Sequence, residues 1–425
     1  MKNTNSALSS FLKEAKTPYH AVGVIKERLL AEGYEELYES DSWSLCDGGK
    51  YFTVRGGASI IAFRNEGFGF MVTATHCDSP SFRVKGELEG RDYIRLDVEK
   101  YGGPINYSWL DTPLSVGGRI VVKTEGGVEA RLADIGDKTV VIPSLAIHMR
   151  RDVNDGCKLN VASDMIPLAS LRTSEIRLLD LIAESAGVDK CDIISYDLQL
   201  FSAAEPVLVG LSDEFLLSSR IDDLSCVWGC LEGFLSAQKA GSCPVLAVFD
   251  NEETGSHTKQ GAASTFLRDT LMRVSGSEEE YNRRVASGFM VSADNAHAFH
   301  PNHPELADKE NAPTLGGGIV IKYNANQKYT TEAVSDAIFR EVCRMAGAEV
   351  QSFYNRADMV GGSTLGSISN TKVSLRTVDI GLPQLAMHSC TELMAMRDAE
   401  LLVLAMKKFY STDLEVKGES IKIKG

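Results

Sequence analysis

Residues 70–80 read FMVTATHCDSP, an apolar run that ends in a histidine and an aspartate. A continuous run of this kind is typical of a strand buried on both faces of a sheet. The pattern recurs in PVLAVFDNEE at 244–253 and GFMVSAD at 288–294, and GLPQLAMH at 381–388 also ends in a histidine. Each run predicts a buried strand that presents polar side chains at its carboxyl end.

Helical and strand patterns alternate along the second half of the chain. Helices are predicted at 222–239, 261–273 and 331–346, and apolar residues at three-to-four spacing predict helices in the first 40 or so residues. Such alternation implies an α/β fold: three layers, with helices on both faces of a mostly parallel sheet.

The region from 81 to 149 has a different pattern. Polar and apolar residues alternate there and are interrupted by Gly-Gly pairs, which is typical of antiparallel hairpins. We therefore predict one α/β domain, made of residues 1–80 and 206–425, that is interrupted by a β-rich insert at 81–205.

Composition limits the classes of function. The 425 residues include 44 Lys and Arg against 58 Asp and Glu, a net charge of −14, which disfavours a nucleic-acid or anionic-membrane binder. The sequence has no secretory-signal pattern and no apolar stretch of about 18 residues. Its nine cysteines include no C-x-x-C pair, so a disulfide framework is not indicated. We expect a cytoplasmic protein that binds neither nucleic acid nor membrane.

The polar strand ends predict a metal centre. In an open parallel sheet the carboxyl ends of the strands lie on one edge, so side chains from distant segments can meet there. We add Asp222, which stands where a helix is predicted to begin, with Ser218 and Ser219 expected to help cap that turn. Two imidazoles and several carboxylates suit zinc, with cobalt or manganese as possible alternatives. The candidate ligands are His76, Asp222, Glu253, Asp294 and His388.

The charges of these groups suggest a hydrolytic centre. Two divalent ions carry +4 and three carboxylates supply −3, which leaves a charge near +1 that would lower the pKa of a bridging water. In the adjacent pair Glu252-Glu253, one carboxylate would bind metal, and its neighbour would be free to act as a general base. Asp78 is placed either to orient His76 through its other ring nitrogen or simply to form a turn before Ser79-Pro80.

Six strings extend these motifs over nearly the whole chain, and together they resemble the aspartyl aminopeptidase family of dinuclear zinc exopeptidases. They appear in the order that the family has. The strings are THCDSP (75–80), SSRIDDL (218–224), DNEETGS (250–256), SADNAHAFHPN (292–302), GGGIVIKYNANQKY (316–329) and RTVDIGLPQLAMHS (376–389).

The resemblance implies a specific reaction. The protein would remove an N-terminal residue, Asp or Glu, from peptides with a free N-terminus, through attack of a metal-bridging water with Glu252 as general base. It implies two metal ions, with His76 and Asp294 on different ions, Asp222 bridging them, and the shells completed by Glu253 and His388.

The resemblance also implies an assembly. The insert would be a dimerisation domain within a homo-oligomer, a tetrahedral dodecamer. His148 aligns with a histidine that reaches into a neighbouring subunit's active site; a strand histidine at the dimer surface is the alternative. Lys322 aligns with a lysine that pairs with an acidic first side chain, and Tyr329 lies in the same substrate-binding string.

Other interpretations stay open at this point. Some relatives prefer neutral N-termini, and many have Asn where this chain has Asp223. A dinuclear deacylase or carboxypeptidase on the same architecture would need an arginine to hold the substrate carboxylate. A non-catalytic, metal-stabilised assembly protein and a cysteine hydrolase using Cys77 or Cys390 are further alternatives.

Overall fold

The protein is built from helices and strands that alternate along most of the chain. The computed structural model describes residues 2–359 and 361–425. Its helices are α1 (Lys2–Glu14), α2 (Pro18–Ala31), α3 (Val161–Asp164), α4 (Leu178–Ala186), α5 (Ile221–Ser236), α6 (Phe266–Ser275), α7 (Glu278–Ala286), α8 (Ala333–Ala346), α9 (Leu365–Asn370) and α10 (Met396–Tyr410). Its strands are β1 (Glu35–Glu36), β2 (Lys50–Arg55), β3 (Ser59–Arg64), β4 (Phe70–His76), β5 (Ser81–Glu89), β6 (Tyr93–Tyr101), β7 (Leu114–Thr124), β8 (Gly127–Asp134), β9 (Leu168–Leu171), β10 (Ile193–Ser202), β11 (Val207–Val209), β12 (Phe215–Ser218), β13 (Cys243–Phe249), β14 (Phe289–Ala293), β15 (Ala296–His297), β16 (Ile319–Tyr323), β17 (Val350–Tyr354), β18 (Arg376–Gly381), β19 (Pro383–Leu385), β20 (Glu392–Ala395), β21 (Asp413–Lys417) and β22 (Ser420–Lys424).

The largest sheet has nine strands in the order β1-β2-β3-β13-β4-β14-β18-β16-β17. Its four central strands, β13, β4, β14 and β18, are mutually parallel, and every residue of β13, β4 and β14 is buried. Three of these strands, β4, β13 and β14, are apolar runs of the sequence, and their carboxyl ends share one edge as predicted. The run at 381–388 was predicted wrongly: beyond Gly381, which ends β18, it contributes only the short β19, in another sheet, and His388 follows in a loop.

Helices cover both faces of this sheet. One buried cluster joins the sheet to α1, α2, α5, α8 and α10, and a second cluster joins the opposite face to α6, α7 and α9. Burial of both faces explains why the central strands are apolar throughout. The predicted three-layer α/β architecture is confirmed.

A second sheet is formed by strands that lie between Ser81 and Ser202. It has six strands, ordered β8-β7-β10-β5-β6-β9, and all its pairings are antiparallel. A separate hydrophobic cluster packs beneath it, including Phe82, Trp109 and Leu198.

Two smaller sheets were not predicted. A five-stranded sheet, β11-β12-β20-β19-β15, brings short segments from distant parts of the chain together, and β21 pairs with β22. Among the described residues, no helix is long and apolar enough to cross a membrane.

Two further local predictions need correction. The helix expected from 261 begins only at Phe266, because residues 256–263 fold back on themselves with Ala263 N–H donating to Ser256 O. Ser218 and Ser219 do not cap α5: the Ser218 hydroxyl donates to the Ser219 carbonyl, and Arg220, in a left-handed conformation with φ 58°, separates both serines from the helix.

Candidate metal centre

Three candidate ligands meet at the end of β4. His76 is the last residue of that strand, and Asp294 follows the neighbouring parallel strand β14. His76 Nε2 lies 3.4 Å from Asp222 Oδ1 and 3.8 Å from Asp294 Oδ1. The ends of β4 and β14 and the start of α5 therefore place one imidazole and two carboxylates around one point.

A second group lies on the other side of Asp222. His388 Nε2 is 3.6 Å from Asp222 Oδ2 and 3.3 Å from Glu253 Oε1. Each oxygen of the Asp222 carboxylate thus faces a different histidine. His388 reaches this position from a loop in which its own φ is 66° and that of Ala386 is 57°.

The donor atoms fit a pair of metal ions. Ligands bound to zinc at about 2.1 Å in a tetrahedron stand about 3.4 Å apart, and the four distances above lie close to that value. Asp222 Oδ1 and Glu253 Oε1 are buried without a hydrogen-bond partner in the described structure. Buried carboxylate oxygens need a partner, and a cation would supply one.

The grouping corrects one expectation. The ligand atoms of His76, Asp222, Asp223 and Asp294 all lie within 4.8 Å of one another, as do those of Asp222, Glu253 and His388. His76 and Asp294 therefore lie on the same side of Asp222, which argues against the expectation that they bind different ions. The reason is strand order: β4 and β14 are neighbours in the sheet, so their ends are adjacent.

Burial and crowding shift the pKa values of the acids here. Burial raises the pKa of Glu252 to about 8; the positive charge of His76 opposes this rise, whereas Asp294 and other neighbouring carboxylates add to it. Burial and Asp222 also hold the pKa of Glu253 well above its usual range. Clustered acids with raised pKa values mark a site that holds cations or transfers protons.

Asp78 connects the histidine ligand to the glutamate pair. The oxygen nearest His76 Nδ1 is the main-chain carbonyl of Asp78, at 3.1 Å, whereas its carboxylate is 3.5 Å away. That carboxylate instead accepts the N–H groups of Glu252 and Glu253 at 3.0 and 3.1 Å and the Tyr101 hydroxyl at 2.7 Å. Asp78 thus contacts His76 mainly through its backbone and anchors the glutamate loop through its side chain.

Lys322 is buried beside the same group. Its Nζ donates to Asn295 O at 3.0 Å, lies 3.8 Å from Asp294 Oδ2, and sits 5.4 Å from the ring centre of Tyr329. Burial is the largest influence and lowers the pKa of Lys322, but Asp294, together with Tyr329, Asp379 and Asp223, outweighs it, so the pKa is raised above its usual value. The side chain is therefore a buried ammonium ion.

A cavity of about 200 Å³ opens onto the acidic cluster. His148 is not among its lining residues; it is exposed in a loop of the insert and is not in a strand. A second cavity of about 310 Å³ adjoins the first, and His297, Phe353, Gly362 and Met387 line both. The first cavity is lined by His76, Asp222, Glu252, Glu253, Asp294, Asn295, Ala296, His297, Lys322, Tyr329, Phe353, Gly362, Ser363, Thr364, Met387 and His388.

The cysteine alternative gains no support. Cys77 and Cys390 are buried, and burial raises the pKa of both thiols, that of Cys390 to about 11. A nucleophilic cysteine needs a lowered pKa.

The sequence analysis missed several polar residues that hold the site. Asn295, directly after Asp294, donates to Ile221 O at 2.9 Å and to Gln384 Oε1 at 2.7 Å. Glu392 accepts the N–H groups of Asp222 and His388. A lone glutamate at the start of the apolar segment ELMAM was the available signal for a buried, paired carboxylate.

Comparisons with known proteins agree with this site. Residues 11–410 match the family described as aminopeptidase I zinc metalloprotease (M18). A probable M18 family aminopeptidase 2 of Clostridium acetobutylicum is 41% identical over 422 residues, covering 95% of this chain and 98% of the relative. One of Pseudomonas aeruginosa is 38% identical over 421 residues, covering 96% and 98%.

Solved structures share the fold. The cryo-EM structure of the Ape4 and Nbr1 complex has a chain with a TM-score of 0.93 and 33% identity, covering 96% of this chain and 86% of that one. The S. cerevisiae mApe1 dodecamer gives a TM-score of 0.83 at 26% identity, covering 96% of each.

The fold and the acidic, histidine-containing centre define a metallopeptidase of the hydrolase class. The chain belongs to the M18 family of zinc aminopeptidases, as its motifs predicted.

Proposed function

We propose that this protein is a dinuclear aminopeptidase that removes an N-terminal Asp or Glu from peptides. The observation that carries the proposal is the Asp222 carboxylate, whose two oxygens face His76 and His388. His76, Asp222 and Asp294 would hold one ion. Asp222, Glu253 and His388 would hold the other.

Two divalent ions bound there would polarise the scissile carbonyl and assist deprotonation of the attacking water. The family points to zinc, and the donor set also suits cobalt or manganese. Glu252 is the general base in this proposal. It lines the cavity, and its backbone N–H is fixed by Asp78, so its carboxylate is placed to take a proton from water and deliver it to the leaving amine.

Lys322 supports the acidic preference. Its ammonium group is buried in the wall of the cavity, and its nearest carboxylate is Asp294. When Asp294 binds a cation, its negative charge is partly neutralised and attracts Lys322 less strongly. The carboxylate of a first-position Asp or Glu would then balance the charge of the Lys322 ammonium ion. Tyr329, which the ammonium contacts through its ring, would shape this end of the cavity.

The alternative of a deacylase or carboxypeptidase gains little support: the arginine of the adjoining cavity, Arg356, is paired with Asp358. Such an enzyme needs an arginine to hold the substrate carboxylate, and no arginine is among the described residues that line the cavity of the metal centre. A neutral first residue is the remaining alternative for specificity.

The proposal includes an assembly. The mApe1 relative is a dodecamer, and we propose a homododecamer here as well, with residues 81–205 as its dimerisation domain. His148 would complete a neighbouring subunit's site, since it is exposed and does not line the cavity of its own chain. The cytoplasmic location stays a prediction from the sequence.

Glu252→Gln tests the general base. We expect full metal content, measured by elemental analysis, and a loss of turnover of at least about a hundredfold. Glu279→Gln, on the exposed surface of α7, is the matched control and should behave like the unaltered protein. Substantial turnover by a fully metallated Glu252→Gln variant would refute the mechanism.

Specificity is tested with Asp-Ala, Glu-Ala, Leu-Ala and N-acetyl-Asp-Ala. The unaltered protein should prefer the two acidic dipeptides, and Lys322→Met should lose that preference with kcat/KM for Leu-Ala nearly unchanged. If neither protein prefers the acidic dipeptides and both cleave Leu-Ala at equal rates, the enzyme prefers neutral first residues instead. Faster cleavage of the acetylated peptide would favour a deacylase.

A further inference from the structure

Glu392 joins two segments of the proposed metal centre without being a ligand itself. It is the first residue of β20 and is 2% exposed. Oε2 accepts the backbone N–H of Asp222 at 3.0 Å, and Oε1 accepts that of His388 at 2.7 Å. One carboxylate thus holds the main chain of two residues whose side chains face each other at 3.6 Å.

The backbone around these residues needs such support. Ala386 and His388 both have positive φ angles, 57° and 66°, which non-glycine residues rarely adopt. Conformations of this kind persist only where surrounding contacts hold them. The bond from His388 N–H to Glu392 is a contact of that type, because it fixes the loop at the residue whose imidazole must point towards Asp222.

Strand pairing fixes Glu392 with respect to the other segment. In the small sheet, Glu392 pairs with Ser218 at the end of β12, four residues before Asp222. Gln384, on β19, donates to Glu392 Oε1 at 3.4 Å and accepts from Asn295, the residue after Asp294. The buried hydrogen bonds therefore extend from Glu392 to the backbone beside a third proposed ligand.

We propose that Glu392 is a positioning residue for the metal centre: it fixes the backbones of Asp222 and His388 so that their side chains converge on one cation. Glu392 is not among the described residues whose ligand atoms converge there, so it acts through the main chain. The inference rests on the proposed function, in which Asp222 and His388 are ligands. Hydrogen bonds that fix the orientation of metal ligands typically contribute about ten- to hundredfold to metal affinity.

The test is cobalt binding to Glu392→Gln. The amide offers one acceptor oxygen in place of two, so one of the two N–H groups loses its partner. We expect the affinity for one of two Co²⁺ ions to fall about ten- to hundredfold, with a changed visible absorption spectrum. Titration with Co²⁺ and spectroscopy measure both without any peptide substrate.

Asp398→Asn is the matched control. Asp398 is also a fully buried carboxylate that accepts two backbone N–H groups, those of Gly316 and Gly318, both at 2.8 Å. None of these three residues lines the cavity of the metal centre. We expect Asp398→Asn to lower the unfolding temperature but to keep the Co²⁺ affinity and spectrum of the unaltered protein.

Two results would overturn the inference. The first is that Glu392→Gln binds cobalt with the same affinity and spectrum as Asp398→Asn. Glu392 would then have a purely structural role. If Glu392→Gln does not fold, Glu392→Asp is used instead, because it keeps both carboxylate oxygens but shortens the side chain by one methylene. The second result that would overturn the inference is unchanged cobalt binding in that variant. Failure of the unaltered protein to bind two ions would instead contradict the proposed function.

Discussion

Replacing Gly381 with alanine should damage the metal centre through the backbone alone. Gly381 ends β18, next to β14 and its following residue Asp294. A Cβ built on Gly381 would lie 2.0 Å from the carbonyl oxygen of Asp294 and 2.9 Å from the carbonyl carbon of Asn295. Since Cβ atoms essentially never approach a heavy atom within 3.0 Å, the two backbones must separate by about 1 Å.

This displacement acts directly on a proposed ligand. Asp294 N–H is bonded to Ile380 O at 3.0 Å, and β14 lies between β18 and β4, so separating β14 from β18 stretches this bond and displaces Asp294 relative to His76. Overpacking of this kind costs about 1–3 kcal/mol of unfolding free energy. A ligand misplaced by about 1 Å should lower kcat/KM about a hundredfold. Zinc affinity should fall about ten- to hundredfold, measured by competition with a chromophoric chelator.

Gly69→Ala provides the comparison. Its Cβ would lie 2.4 Å from the carbonyl oxygen of Ser287, so it also forces two backbones apart, but Gly69 precedes β4 at the end opposite to His76. It should lose stability and keep its zinc affinity. If folded Gly381→Ala binds zinc as tightly as Gly69→Ala, the argument from backbone contact is wrong.

Three further predictions concern metal, hydrogen bonding and pH. Removing metal with a chelator should lower the unfolding temperature, and zinc at 100 times its dissociation constant should restore about 2.7 kcal/mol per site, measured by calorimetry; an unchanged unfolding temperature would contradict a metal at the cluster. Tyr101→Phe removes the hydroxyl that donates to Asp78, so it should lower the free energy of unfolding in urea by about 1.5–3 kcal/mol and slow turnover. If the unfolding free energy and turnover are unchanged, the Tyr101 hydroxyl is not needed to anchor Asp78. Burial lowers the pKa of His20 to about 4. Below pH 6.5 the unfolded chain therefore binds a proton that the folded protein does not, so stability should fall by about 2 kcal/mol from pH 7 to 5. With both proteins in excess chelator, His20→Gln should lose less stability between pH 7 and 5 than the unaltered protein. An equal loss of stability in the two proteins would refute the role of His20.

Local patterns explain why much of the fold was predictable. The runs that became β4, β13 and β14 are apolar on both faces, and only a strand covered on two sides needs such a run. A polar residue directly after a buried strand lies at the sheet edge, so His76 and Asp294 were found before their distance was known. Helix boundaries were less predictable, as the late start of α6 at Phe266 shows, because turn contacts such as Ala263 to Ser256 depend on the folded chain.

The arrangement of the ligands around the site was harder to predict from the sequence. His76 and Asp294 were assigned to different ions, but β4 and β14 are neighbours and bring them to the same side of Asp222. Glu392 and Asn295 escaped notice because isolated polar residues are usually exposed. Only the folded chain reveals that these two are buried and bonded to backbone groups.

The amino-acid sequence alone therefore determined the class of fold, the polar residues that end its strands, and through its long motifs the family of metallopeptidases. The tertiary structure decided which of those residues share a position around Asp222, and which hidden side chains hold them there. The physical reason is that periodicity and burial are properties of short segments, whereas strand order, close backbone approach and buried hydrogen bonds join segments more than a hundred residues apart.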